Sequence, residues 1–162
     1  MVLERSIATI IPDSPAVLKK PLLEQIEILS QMPQTPMPVK HRFQDGVYIR
    51  EIFMPADTYV IGHVHRCRHF NMVLEGKAWV HMENHGRVVK AGEVIESGPL
   101  VQKALYIIED CRWATIHANP TNSRDIEFLE NEIVHLSPDL AAARKGMTLD
   151  EFRMNLPKFL KP

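Results

Sequence analysis

Six of the seven glycines fall between Gly46 and Gly98, and the seventh, Gly146, stands alone near the end. Glycine spaced at these intervals punctuates short strands and tight turns, so the middle of the chain is constrained to β structure. Between Arg42 and Ala118 the β-favouring residues fall in short runs. They are Val47, Ile49 and Ile52; Tyr59-Val60-Ile61; Phe70–Leu74; Ala78–Met82; then segments at 87–89, 93–96, 102–108 and 112–118. Glu83-Asn84-His85-Gly86 suits a hairpin turn, and Glu109-Asp110 reads as the turn between the last two strands. Many short strands at this spacing predict an all-β sandwich or barrel.

The flanks read differently. A β-like run at 7–11 precedes Asp13-Ser14-Pro15, a helix-start signal, and Leu22, Ile26 and Leu29 share one face of a helix predicted over 21–31. Three prolines in Met32–Pro38 exclude a regular helix and predict an extended arm. After Asn119 the period becomes helical, with Ile126, Leu129 and Ile133 on one face. Ser137-Pro138 opens a further helix that Gly146 ends, and Thr148–Glu151 is a capping box for a last one. The expected organisation is an N-terminal helix and Pro-rich arm over 1–41, a β domain over 42–119 and a helical tail over 120–162.

Composition narrows the function classes. The chain has 162 residues, 45% hydrophobic and 24% charged, which is ordinary for one globular domain. Nineteen basic residues oppose 20 acidic ones, and basic residues do not cluster with aromatics, so a nucleic-acid partner is not expected. No apolar run approaches a membrane span, and the start lacks a signal-peptide pattern; the expected location is the cytoplasm. Cys67 and Cys111 are read as reduced thiols rather than a disulfide. No Gly-rich phosphate loop and no Ser-His-Asp order can be argued, and carboxylates near the histidines are too few for a glycosidase pair.

Three of the eight histidines, His63, His65 and His69, sit within seven residues. Residues i and i+2 of a strand point to one face, about 7 Å apart, which suits two imidazoles converging on one ion, with His69 joining from the same strand or the next. Neutral imidazole suits zinc, iron, nickel and copper. On the last strand, Trp113, Thr115 and His117 alternate and so face one way; His117 is a candidate fourth ligand or general base, weighed against a hydrogen-bonded rim histidine. Asn71 is a candidate for orienting a ligand. Tyr106 and Trp113 are read as core.

This pattern resembles the cupin superfamily. The first cupin motif runs Gly, five residues, His-x-His, three or four residues, Glu, six residues, Gly; here Asp57, His63, His65, His69 and Gly76 occupy those places without a gap. Gly92 stands as the opening Gly of the second motif, Gly98-Pro99-Leu100 replaces Pro-x-Gly, Lys103 replaces the last metal-binding His, and Ile107 replaces Asn. The resemblance covers about 42–118 and implies a mainly β, cupin-type jelly roll. It implies one divalent transition metal (Fe, Zn, Ni or Mn) on His63, His65 and His69. With His in place of Glu, the bound ion is more electrophilic. Lys103 and His117 are the candidate catalytic residues, and Lys103 in the same cavity would hold a small anionic ligand; the alternative for Lys103 is a solvated strand end. The family also implies a homodimer. The chain is similar, too, to small cupin-like proteins of bacteriophage genomes, through His63–His69, Gly98-Pro99 and Leu105–His117. Two functions follow as expectations. One is a small metalloenzyme or metal-dependent small-molecule binder. The rival is a non-enzymatic phage structural, accessory or host-interaction protein with a structural or relic metal site, located in the host cytoplasm or the virion.

Overall fold

A computed structural model describes residues 7–10, 22–82, 85–99 and 101–135. The turn read at Glu83-Asn84, the helices read from Ser137 and Thr148, and the start signal at Asp13 lie outside the described residues. The elements are β1 (Ile7–Ile10), α1 (Leu22–Ser30), β2 (Val39–Gln44), β3 (Gly46–Met54), β4 (Thr58–Ile61), β5 (Val64–His65), β6 (His69–Met82), β7 (His85–Lys90), β8 (Val94–Ser97), β9 (Lys103–Asn119), α2 (Ile126–Ile133) and β10 (Val134–His135).

Eight strands form one antiparallel sheet, and β5 and β10 pair separately. The long strands β6 and β9 lie side by side and carry the sheet round a bend. In one half the order is β2-β3-β9-β6-β8, in the other β1-β4-β9-β6-β7. The two halves face each other over a shared core that includes Ile52, Met54, Val60, Val73, Val80, Val89, Leu105, Ile107 and Trp113. The result is the expected mainly β jelly roll, flanked by helices.

Two readings of the strand pattern are corrected. Phe70–Leu74 and Ala78–Met82 are one strand of 14 residues, and 102–108 and 112–118 are one of 17. The sheet bends through β-bulges between Val73 and Ala78 rather than breaking. Gly76 makes the bend possible: its φ is +82°, and a Cβ there would run into the Asp110 carbonyl. Glu109 and Asp110 therefore lie outside a bend, where Lys77 Nζ pairs with Glu109 at 2.6 Å and Asp110 Oδ1 accepts from Ala56 N at 2.8 Å.

Both flanks with described residues fold onto this sheet. Ile26 and Leu29 of α1 pack on Tyr59, Ile61 and Ala104. The apolar face of α1 is thus covered by its own sheet. Asp125 caps α2 by accepting from Phe128 N at 3.1 Å, and Leu129 and Ile133 bury against Tyr48. Met32–Pro38 runs without regular structure, as the prolines dictate. Among the described residues no helix is long and apolar enough to cross a membrane, and Cys67 and Cys111 are free thiols.

Candidate metal centre

Three imidazoles converge at one end of the jelly roll: His65, His69 and His117, with ligand nitrogens all within 4.8 Å of one another. Their rings form a compact stack, His65 lying 4.1 Å from His69 and 5.0 Å from His117 between centroids. Each comes from a different element. His69 opens β6. His117 lies near the end of β9, one step past the Phe70–Ile116 pair that sets the β6–β9 register. His65 lies in β5, where it pairs with Val134 of β10, and Arg66 N donates to Ile133 O at 2.8 Å. The segment after α2 therefore props the loop that carries His65.

The local chemistry favours ligation. His69 Nδ1 is 3.0 Å from the Cys67 carbonyl oxygen. A carbonyl only accepts, so Nδ1 carries the proton and Nε2 keeps its lone pair. That Nε2 is buried without a hydrogen-bond partner among the described residues, and so is Nδ1 of His65. Buried polar nitrogens left unpaired are costly, and an ion satisfies both. His69 and His117 are only 5% and 4% exposed. Burial, and next the neighbouring His69, His117, Lys103 and His63, hold His65 neutral far below the usual histidine range. Burial pushes His117 down to about 3, with His69, Arg50 and Lys103 adding to it. Burial also lowers His69, against the opposing pull of its Cys67 hydrogen bond. All three are thus held in the neutral form that binds metal.

A cavity of about 320 Å³ adjoins the cluster. Its inner wall is apolar, from Ile52, Met54, Val60, Leu105 and Trp113, while exposed Arg66 and Asn131 stand at the rim. Lys103 lines it and is 7% exposed. Burial lowers the Lys103 ammonium to about 8.

The ligand set differs from the one the sequence suggests. The strand geometry assumed for His63-Val64-His65 does not hold, because β4 ends at Ile61 and His63 falls in the connection to β5. His63 lines the cavity but is outside the converging group; His117, read as a catalytic residue or fourth ligand, takes its place. The parity of Trp113, Thr115 and His117 was the signal for this, since all three are buried and line the cavity. Lys103 is inside rather than solvated. Asn71 orients none of the three histidines: its Oδ1 accepts from Trp113 Nε1 at 3.0 Å and Thr115 Oγ1 at 3.3 Å, and its Nδ2 donates to Ser97 Oγ at 2.9 Å. Cys67 contributes through its carbonyl, and its thiol is exposed. Nothing in the sequence marks Tyr48, Arg50 or Glu130 as cavity residues, which they are.

No protein-family model and no curated protein matches the sequence. Several solved structures resemble the chain. An RmlC-like cupin family protein with a double-stranded β-helix fold from Methanocaldococcus jannaschii is 15% identical with a TM-score of 0.46, over 53% of this chain and 84% of that one. A cupin-like protein from Thermotoga maritima is 18% identical with a TM-score of 0.46, over 54% and 71%. The Schizosaccharomyces pombe Cnp3 cupin domain is 17% identical with a TM-score of 0.47, over 71% and 74%. The strand order and the bend at Gly76 define the jelly roll.

Proposed function

We propose that the protein is a metal-binding cupin, a small metalloenzyme or metal-dependent small-molecule binder, with one divalent transition ion (Fe, Zn, Ni or Mn) on His65, His69 and His117. The observation that carries this is the convergence of three neutral imidazoles, two of them with buried, unpaired nitrogens. The motif resemblance agrees with it. Asp57, Gly76 and Gly92, at three glycine places of the motifs, all have positive φ, at 58°, 82° and 93°, and Asp tolerates that conformation better than most residues. A bound ion supplies Lewis acidity or, if redox-active, electron transfer. The chain does the rest. Cys67 orients His69, and β10 and α2 hold His65 beside an apolar cavity wall. The rival reading, an assembly protein with a structural ion, needs the space beside the histidines plugged; the open cavity lined by Lys103 supports the small-molecule reading.

Zinc titration of the metal-stripped chain tests this. One ion per chain is expected. Replacing His65 and His117 together with Ala should weaken binding by at least about 10³-fold, because two of three ligands are lost, and His63→Ala should change it only a few-fold. A protein that carries no metal when purified without chelator and gains none on titration overturns the proposal. Loss of zinc in His63→Ala but not in His117→Ala would return the site to the His-x-His set.

A further inference from the structure

Lys103 is the feature of the cavity that the metal does not explain. It is buried and lines the cavity; its backbone carbonyl accepts from Gly62 N at 2.9 Å, and its ammonium makes no hydrogen bond or ion pair among the described residues. Unlike His65 Nδ1 and His69 Nε2, Lys103 Nζ opens onto the cavity space, and a charge there with no partner beside an apolar wall is costly. The other polar groups of the inner wall are engaged. Asn71, Trp113 Nε1 and Thr115 Oγ1 are bonded to one another. Arg50 and Glu130 act with opposite sign on the Tyr48 hydroxyl, so their charges offset at that end. Arg66 is at the rim, exposed to water. Arg50 also bears on His117 at the Tyr48 end, and Lys103 is the cation beside the apolar wall.

We propose that the cavity takes a small monocarboxylate, its carboxylate on Lys103 Nζ and its hydrocarbon body against Ile52, Met54, Val60, Leu105 and Trp113. This deepens, and rests on, the reading of the cavity as a small-molecule site. In the metal-free chain a single ammonium neutralises a monoanion one for one, whereas a phosphate dianion would leave a negative charge among apolar side chains. The volume, about 320 Å³, lies at the low end for small-molecule sites, which limits the body to a short chain or one ring. A divalent ion on the histidines adds two positive charges, of which a monocarboxylate offsets one, so monoanion and dianion are told apart on the metal-stripped protein.

Calorimetry on the zinc-loaded full chain, repeated on metal-stripped protein, tests this with benzoate as probe and benzamide as its neutral match. Wild type should prefer benzoate to benzamide at least about tenfold. Lys103→Met should weaken benzoate at least about 30-fold, because one partner of a buried charge pair is lost. It should leave benzamide within a few-fold, and Lys103→Arg should keep most of the preference. Equal binding of the two probes by wild type, or undiminished benzoate binding by Lys103→Met, overturns the inference. Phenyl phosphate binding metal-stripped protein tenfold tighter than benzoate also overturns it, in favour of a dianion site. Should Lys103→Met fail to fold, the wild-type preference decides. One zinc per chain without a carboxylate preference sinks this inference and leaves the metal reading intact; a preference without zinc binding does the reverse.

Discussion

Two polar clusters sit on the same strands and are treated in opposite ways. On the outer face of β3, Glu51 is 6% exposed, and every strong group around it is matched. Arg112 donates to Glu51 Oε1 from Nε at 3.0 Å and Nη2 at 2.8 Å. Arg42 donates to Oε2 at 3.1 Å, and Arg112 Nη1 reaches Glu75 at 2.5 Å. Those hydrogen bonds, led by Arg112, hold the Glu51 carboxyl below its usual range. On the inner side of the sheet, His69, His117 and Lys103 are buried and His65 is half-buried, with no acidic partner in the cluster among the described residues, and each is pushed towards its neutral form. The outer cluster is complete within the chain and serves the fold. The inner one leaves ligand nitrogens of His65 and His69 unpaired among the described residues, and the partners proposed for it are a cation for the imidazoles and an anion for the ammonium.

The contrast can be broken by experiment. The largest effect should come from acid acting on metal-free protein. The folded-state pKa of His117 is about 3 against an ordinary 6.5, so below about pH 6.5 the unfolded chain binds the proton and the folded one does not. Stability should fall progressively from pH 6.5 towards 3, by several kcal/mol in total, as read from urea midpoints. Saturating zinc should add stability over the upper part of that range. A stability flat between pH 6.5 and 4 would show that the inner cluster is not held neutral.

Next in size is the removal of the inner charge. The folded-state pKa of Lys103, about 8, lies below its ordinary 10.5, so its protonation destabilises the ligand-free fold below pH 8, and the penalty fades as pH rises to 10.5. Lys103→Met should therefore stabilise metal-free, ligand-free protein at pH 7 by about 2–3 kcal/mol. The gain should disappear above about pH 10.5. Destabilisation at pH 7 would mean that Lys103 has an internal partner and that the two clusters are alike.

The smallest effect belongs to the outer cluster. Glu51→Gln should cost about 1–2 kcal/mol, since its arginine partners are partly solvated. Zinc affinity should stay within a few-fold, because Glu51 faces away from the cavity. A large loss of zinc affinity would couple the two faces of β3 and sharpen the view that the outer cluster braces the site.

Much of the architecture is legible in the residues. Alternating apolar positions and glycines mark the strands, and positive φ at Asp57, Gly76 and Gly92 explains why the motif spacing is kept where one of its residues is not. The Ile126, Leu129 and Ile133 face does form a helix, and its partner turns out to be Tyr48. What is not legible is continuity. Polar Glu109-Asp110 reads as a turn, yet β9 passes through it because the opposing strand bulges at Gly76.

The sequence by itself determined an all-β sandwich or barrel, the α1 and α2 helices and a histidine-rich site, since these follow from short-range periodicity and turn chemistry, while the jelly roll was implied by the motif resemblance. Only the tertiary structure decided which histidines meet. His65 and His69 are neighbours in sequence, but His63 drops out because the strand ends at Ile61. His117 enters because the β6–β9 register brings residues 48 positions apart side by side. The fate of Lys103 was decided in the same way. Its residue type specifies a charge, and only the packing of two sheet halves around it makes that charge buried and without a partner among the described residues.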